Sequence, residues 1–207
     1  MTRRRKWALV PGFVALAGLV GVLSAYAGAS SSQGFAPEQP VRFPHPVHVA
    51  KLGMNCQYCH YSANKSPDPG MPAMSTCQGC HTIIGPNRPA VDGQPARKSA
   101  ELEKLTKYFT DRKPVEWVRI HKVPEYVHFP HMRHVSAGVT CQTCHGKVQE
   151  MDQVYQFSSL NMGWCVNCHV KGYKPAEGMV AAGLTPTEAD LQAEPKKARY
   201  DCAICHY

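Results

Sequence analysis

Apolar residues dominate the run 7–29, which carries no charge and follows the basic flank MTRRRK at 1–6. As a helix these residues span about 34 Å, enough to cross a hydrocarbon core of about 30 Å. The pattern predicts a single transmembrane anchor over 7–29. The basic flank at 1–6 stays on the cytoplasmic side and the rest of the chain lies outside it. Ala25-Tyr26-Ala27 also has the form of a signal-peptide cleavage site, but the apolar run is longer than the usual cleaved segment of about 7–15 residues.

Beyond the run the pattern weakens. Residues 30–42, rich in Ser, Gly, Ala and Pro, read as a linker. Residues 43–207 then form one domain of about 165 residues, a normal size. Only one stretch in it has clear helical periodicity: RKSAELEKLTKYFTD at 97–111, with Leu102, Leu105 and Phe109 at spacings of three and four. It is expected to cover the core of the domain. Trp117 and Val118 begin an extended stretch, and PTEAD after Leu184 predicts a helix start with Thr185 as cap and Pro186 in first position. With 17 prolines and 16 glycines, the remainder reads as loops and short helices.

The chemistry lies in a repeat. Residues 43–81 open with FPHPVHVAKLGMNCQYCH and end with MSTCQGCH; residues 129–169 open with FPHMRHVSAGVTCQTCH and end with MGWCVNCH. Phe-Pro-His-x-x-His-Val begins both copies. Gly53 and Gly138 stand three residues before the first Cys, and Met74 and Met162 three before the second pair. The first copy is one residue longer between its Phe and its first Cys. All 10 cysteines fall in C-x-x-C pairs, and each pair is followed directly by His. That is the attachment motif of c-type haem, two thioethers and one axial imidazole. Disulfides or zinc sites leave five histidines at one fixed offset unexplained.

Covalent attachment is therefore expected at Cys56 and Cys59, Cys77 and Cys80, Cys141 and Cys144, Cys165 and Cys168, and Cys202 and Cys205. The proximal iron ligands are His60, His81, His145, His169 and His206. The fold class follows: a multihaem cytochrome c in which short helices and loops wrap five haems. Its modules are 43–81 and 129–169, with an insert at 82–128 and a C-terminal haem segment at 170–207. At about one haem per 33 residues the cofactors supply much of the core, and the apoprotein is expected to be largely unfolded.

Six histidines remain to close the irons. His45 with His48, and His131 with His134, are three apart and neighbours on a helix. His121 is the natural fifth distal ligand. His128 stands where the first module has Arg42 and is left out. Methionine is the rival: Met151 or Met162 could make one haem His/Met, and Met74 and Met162 otherwise fill gaps against porphyrin. Closed irons suit electron transfer rather than chemistry on a small substrate.

The formal charge of +8 includes Arg3, Arg4, Arg5 and Lys6. The exported part keeps about +4, which ten haem propionates outweigh. Nucleic acid is thereby excluded as a partner, and no phosphate loop, nucleophilic triad or nucleotide-binding glycine pattern is present in the soluble part.

The F-x-H-x-x-H…C-x-x-C-H pattern resembles the class III multihaem cytochromes, c3 and c7. That resemblance assigns His45 and His131 to the haems on His60 and His145, and makes His48 and His134 links to other haems. The run from Trp117, WVRIHKVPEYVHFPHMRHVSAGVTCQTCHGKVQEMDQV, through MGWCVNCH resembles the pentahaem cytochrome c subunit of alternative complex III. Members of that family often carry Tyr at the place of His128. The resemblance implies a bacterial inner-membrane subunit, single-pass, with its haem domain on the periplasmic face. It would be an electron relay rather than an enzyme. Its partners would be an iron–sulfur, molybdopterin-like subunit, quinol-oxidising membrane subunits, and a monohaem cytochrome c or soluble carrier. A membrane-anchored multihaem quinol dehydrogenase cytochrome is the alternative. A multihaem reductase would need an open iron, and a soluble storage cytochrome would need no anchor.

Overall fold

The computed structural model describes residues 3–28, 32–91 and 93–207, with side chains described for 11–23 within the first segment. Helix α1, Arg3–Gly28, opens the chain and contains Pro11. The span expected at 7–29 lies in part outside the described residues. Among the described residues no helix is long and apolar enough to cross a membrane.

Short helices follow, and five of them carry the C-x-x-C-H motifs: α2 (Cys56–Cys59), α3 (Met74–His81), α6 (Cys141–His145), α7 (Met162–Lys171) and α10 (Cys202–Cys205). A helical C-x-x-C turns both thiols to one face, where they can reach the same macrocycle. Isolated helices this short are unstable in water, so local caps and packing must hold them. Asn55 accepts a hydrogen bond from Gln57 N at 2.8 Å, and Asn161 accepts one from Trp164 N at 2.8 Å.

The duplication is visible in the backbone. In the second module the His-x-x-His pair sits on α5, His131–Ser136. In the first, the same place is a π-helical turn, Pro46–Lys51. The extra residue of the first copy falls between His48 and Gly53 and is taken up by the wider turn. Gly53 and Gly138, both with positive φ (67° and 84°), end these turns at equivalent positions. The one-residue insertion thus leaves the entry to each C-x-x-C helix alike.

The insert forms a two-stranded antiparallel hairpin, β1 (Asn87–Arg88) with β2 (Arg97–Lys98), then α4, Ala100–Asp111. The helix expected over 97–111 starts three residues later, because Arg97 and Lys98 pair in the hairpin and Ser99 caps Leu102 N at 3.3 Å. Buried Leu105, with Leu102 and Phe109, turns inward onto Val41, Val115, Met74 and Trp117. The remaining helices are α8 (Pro175–Ala181) and α9 (Glu188–Gln192). The cap of α9 is Thr187 and not Thr185: Thr187 and Asp190 form a reciprocal capping box, which satisfies two backbone amides where Thr185 ahead of Pro186 offers one.

The described part of the linker is not a free tether. Gly34 N donates to Gln156 O at 2.7 Å, Gln156 N to Phe35 O at 2.9 Å, and Gln39 exchanges two hydrogen bonds with the Val118 backbone. Buried hydrophobic side chains are few among the described residues: Val41, Leu105, Val115, Met151 and Tyr173. A polypeptide core this thin does not offset the conformational entropy of ordering such a domain.

Candidate functional site

Histidines meet in pairs across the molecule. The rings of His48 and His81 are 6.1 Å apart between centroids, those of His134 and His169 6.1 Å, and those of His131 and His145 6.3 Å. Two imidazoles on opposite sides of one metal, each bound at about 2 Å, hold their ring centres roughly 6 Å apart. Among the described residues no three or more His, Cys, Asp or Glu side chains gather as they would around a bare metal ion. Ligands in facing twos suit a metal whose other positions are filled by a macrocycle.

Each pair is aimed by its neighbours. Phe43 stacks on His48 at 4.2 Å and meets His45 edge-on at 4.8 Å; Phe129 does the same to His134 and His131 at 4.5 and 4.9 Å. The repeated Phe is therefore a ring clamp. Backbone carbonyls take the Nδ1 side of most imidazoles: Pro44 O for His48, Ile84 O for His81, Pro130 O for His134, Arg199 O for His169, Gly70 O for His60 and Pro67 O for His131. With Nδ1 donating to a carbonyl, Nε2 is the nitrogen left for a metal, the usual arrangement of a ligating histidine.

Burial keeps the central rings neutral, as ligation requires. It lowers His45 to about 4, helped by the nearby charges of His60 and His48. It lowers His145 to about 3, helped by His121, His131 and His60. His121 and His134 are also lowered, in each case chiefly by burial. Nε2 of His121 and Nδ1 of His45 are buried with no hydrogen-bond partner, a cost of about 1–3 kcal/mol for each group unless something binds there.

The expected distal ligands are not all placed alike. His48, His131 and His134 face a proximal histidine, and His45 lies within the electrostatic reach of His60. His121 sits beside the third motif, its ring 4.3 Å from His145 in a T-shaped contact. Among the described residues His206 is met by Tyr126, stacked at 5.8 Å, and not by a histidine ring. His128, left out at the sequence level, is tied to the C-terminal segment: its backbone N donates to Cys205 O at 2.7 Å and its Nδ1 pairs with the Tyr207 hydroxyl at 3.0 Å. That role carries no sequence signal. Met151 is buried against Gly146 and Phe157, whereas Met162 opens α7 and is 69% exposed.

The ten thiols are free of disulfides, in keeping with thioether chemistry. Their neighbours set an order in space. Cys59 is close enough to Cys77 to raise it, after burial; Cys56 and Cys141 are within hydrogen-bonding reach; Cys144 feels Cys168 and Cys165, and Cys165 feels Cys205. These neighbours put the first motif beside the second and the third, and the fourth beside the third and the fifth. Beside the third and fourth lies an open cavity of about 740 Å³ lined by Met151, Phe157, Cys168 and Tyr173.

Comparison with known proteins agrees with this geometry. Residues 133–207, which include the last three motifs, match the family model described as cytochrome c3. The chain is also 29% identical over 153 residues to a protein of Nitratidesulfovibrio vulgaris named menaquinone reductase, multiheme cytochrome c subunit, covering 64% of this chain and 68% of that one. Residues 133–207 are thus similar to cytochrome c3, and they belong to a chain rich in short helices and loops whose C-x-x-C-H helices and paired imidazoles have the form of c-type haem sites.

Proposed function

We propose that this chain is the electron-relay subunit of a quinone-linked membrane complex, holding five c-type haems in a row. The observation that carries the reading is the facing of His48 with His81, His131 with His145 and His134 with His169 at 6.1–6.3 Å; a haem iron held between such a pair would have no open position for a substrate. The haem, when bound, supplies a one-electron couple. The polypeptide would supply the rest: cysteines to fix each macrocycle, histidines to hold the irons, and carbonyls and phenyl rings to keep the imidazoles still. His45, within electrostatic reach of His60, would serve the remaining site of the first module, and His121 would belong to the third site.

The proximity of successive motifs supports a wire in which the His60, His145 and His169 sites are neighbours in turn, with the His81 site beside the first and the His206 site beside the fourth. We place the haem domain on the outer face of the bacterial inner membrane, held by the uncharged segment 7–29. In the alternative complex III reading, electrons enter from an iron–sulfur subunit served by quinol-oxidising membrane subunits and leave to a monohaem cytochrome or soluble carrier. The name of the N. vulgaris relative, a menaquinone reductase, favours flow the opposite way, from a carrier toward quinone. The same row of haems serves both, since direction is set by the potentials of the partners.

Gentle detergent extraction from native membranes, a native gel stained for haem and mass spectrometry of the band test the proposal. Five haems on this chain, running with an iron–sulfur subunit and integral membrane subunits, is the expected result. A band of this chain alone that still takes electrons from quinol would replace the relay with an anchored quinol dehydrogenase. Adding quinol to one sample and a reduced carrier to another then separates the two directions of flow.

A further inference from the structure

Six imidazoles have a backbone carbonyl on Nδ1, and these are unevenly shared among the sites. At the second motif both facing rings have one, His48 from Pro44 and His81 from Ile84. The same holds at the fourth, where His134 and His169 use Pro130 and Arg199. The first and third differ. Nδ1 of His45 is buried without a partner, and among the described residues the His145 ring makes no hydrogen bond. Each of these two sites keeps one anchored ring: His60 on Gly70 O at 2.9 Å, and His131 on Pro67 O at 2.7 Å.

Both carbonyls come from one loop, Ser-Pro-Asp-Pro-Gly at 66–70. The loop is knitted by its own side chains. Gly70 N donates to Asp68 Oδ1 at 3.2 Å, Asp68 N to Ser66 Oγ at 3.3 Å, and Ser62 Oγ to Asp68 O at 3.0 Å. It is also docked on the second module, because its carbonyls receive the first amides of α5: His131 N donates to Pro67 O at 3.1 Å and Met132 N to Ser66 O at 3.2 Å.

We infer that loop 66–70 is a positioning device shared by two neighbouring haem sites, those of His60 and His145, with Asp68 as the residue that holds its shape. The inference rests on the axial-ligand reading above. An imidazole that donates Nδ1–H to a carbonyl is fixed in rotation and is a stronger ligand, which favours the oxidised iron. Loosening the loop weakens that donation at both sites together and raises the reduction potentials of both haems. The second and fourth sites, each with two anchors of their own, do not follow.

The test uses the full chain purified with its complex, and reads redox-titrated electron paramagnetic resonance. Asp68→Ala is expected to shift the low-spin signals of two haems in concert, both to higher potential, with the others unmoved. Asp68→Asn, which keeps the Oδ1 acceptor, is expected to restore the wild-type titration. An unchanged titration in Asp68→Ala, a shift of a single haem, or an equal shift of all haems overturns the inference. If Asp68→Ala does not accumulate, Ser62→Ala serves: it removes only the bond to Asp68 O and should move the same two signals less, and a shift confined to other haems overturns the proposal. Absence of low-spin haem in the unaltered protein would instead overturn the ligand reading itself.

Discussion

His131 and His128 lie three residues apart and have opposite expected roles. His131 faces His145 at 6.3 Å, whereas His128 bonds the Tyr207 hydroxyl. His131→Ala should convert one haem to high spin and slow turnover of the complex; His128→Ala should leave every haem that was low spin unchanged, both read by electron paramagnetic resonance. A second residue-scale outcome concerns Gly146, directly after His145. Its φ is +71°, and a Cβ there would stand 2.7 Å from Phe157 and 3.0 Å from Met151. Gly146→Ala should cost roughly 1–3 kcal/mol by overpacking, seen as a lower denaturation midpoint. These roles differ in legibility. The C-x-x-C-H histidines stand out because attachment chemistry demands a fixed offset; His128 does not, because its partner is 79 residues away.

At the scale of elements, the π-helical turn at Pro46–Lys51 and α5 are two solutions to one task. Both present a His-x-x-His pair under a Phe clamp and then hand the chain to a C-x-x-C helix through a glycine. Deleting Ala50 should convert the wide turn into an α-turn like that of the second module. His48 lies before the deletion, so the haem count and low-spin spectrum should survive it; loss of one low-spin haem would show that the wide turn itself is required. The stripe Leu102, Leu105, Phe109 was readable because helical periodicity is local. Its start at Ala100 was not, because pairing of Arg97 and Lys98 with the opposite strand decides it. Likewise PTEAD announced a helix, and the Thr187–Asp190 capping box, stronger than the Pro186 signal, chose its first residue.

For the whole molecule, the short inventory of buried side chains is the main energetic fact. With Val41, Leu105 and Val115 as the buried cluster among the described residues, the polypeptide alone is expected to be unstable and bound cofactor to supply the missing stability. Expression without haem attachment should give a chain with little ordered helix in circular dichroism, and a folded apoprotein would contradict this. At this scale the C-terminal segment closes the row of sites: Tyr173 pairs with Lys196, Arg199 O takes the Nδ1 side of His169, and Val127 pairs with His206.

By itself the sequence determined the motif chemistry: which cysteines stand in C-x-x-C pairs, which histidines follow them in the position of a proximal ligand, and that the unit is duplicated. Those properties live in spacings of a few residues, which bond lengths and helical geometry constrain directly. The tertiary structure decided what depends on contacts between distant segments. It brought the first motif beside the third. It brought His121 to His145 and set Tyr126 against His206. It also laid residues 34–37 along the second module and Gln39 on the insert, and let one loop of the first module hold a histidine of the second. Such contacts are chosen by packing among segments 24 to 122 residues apart, and no local pattern records them.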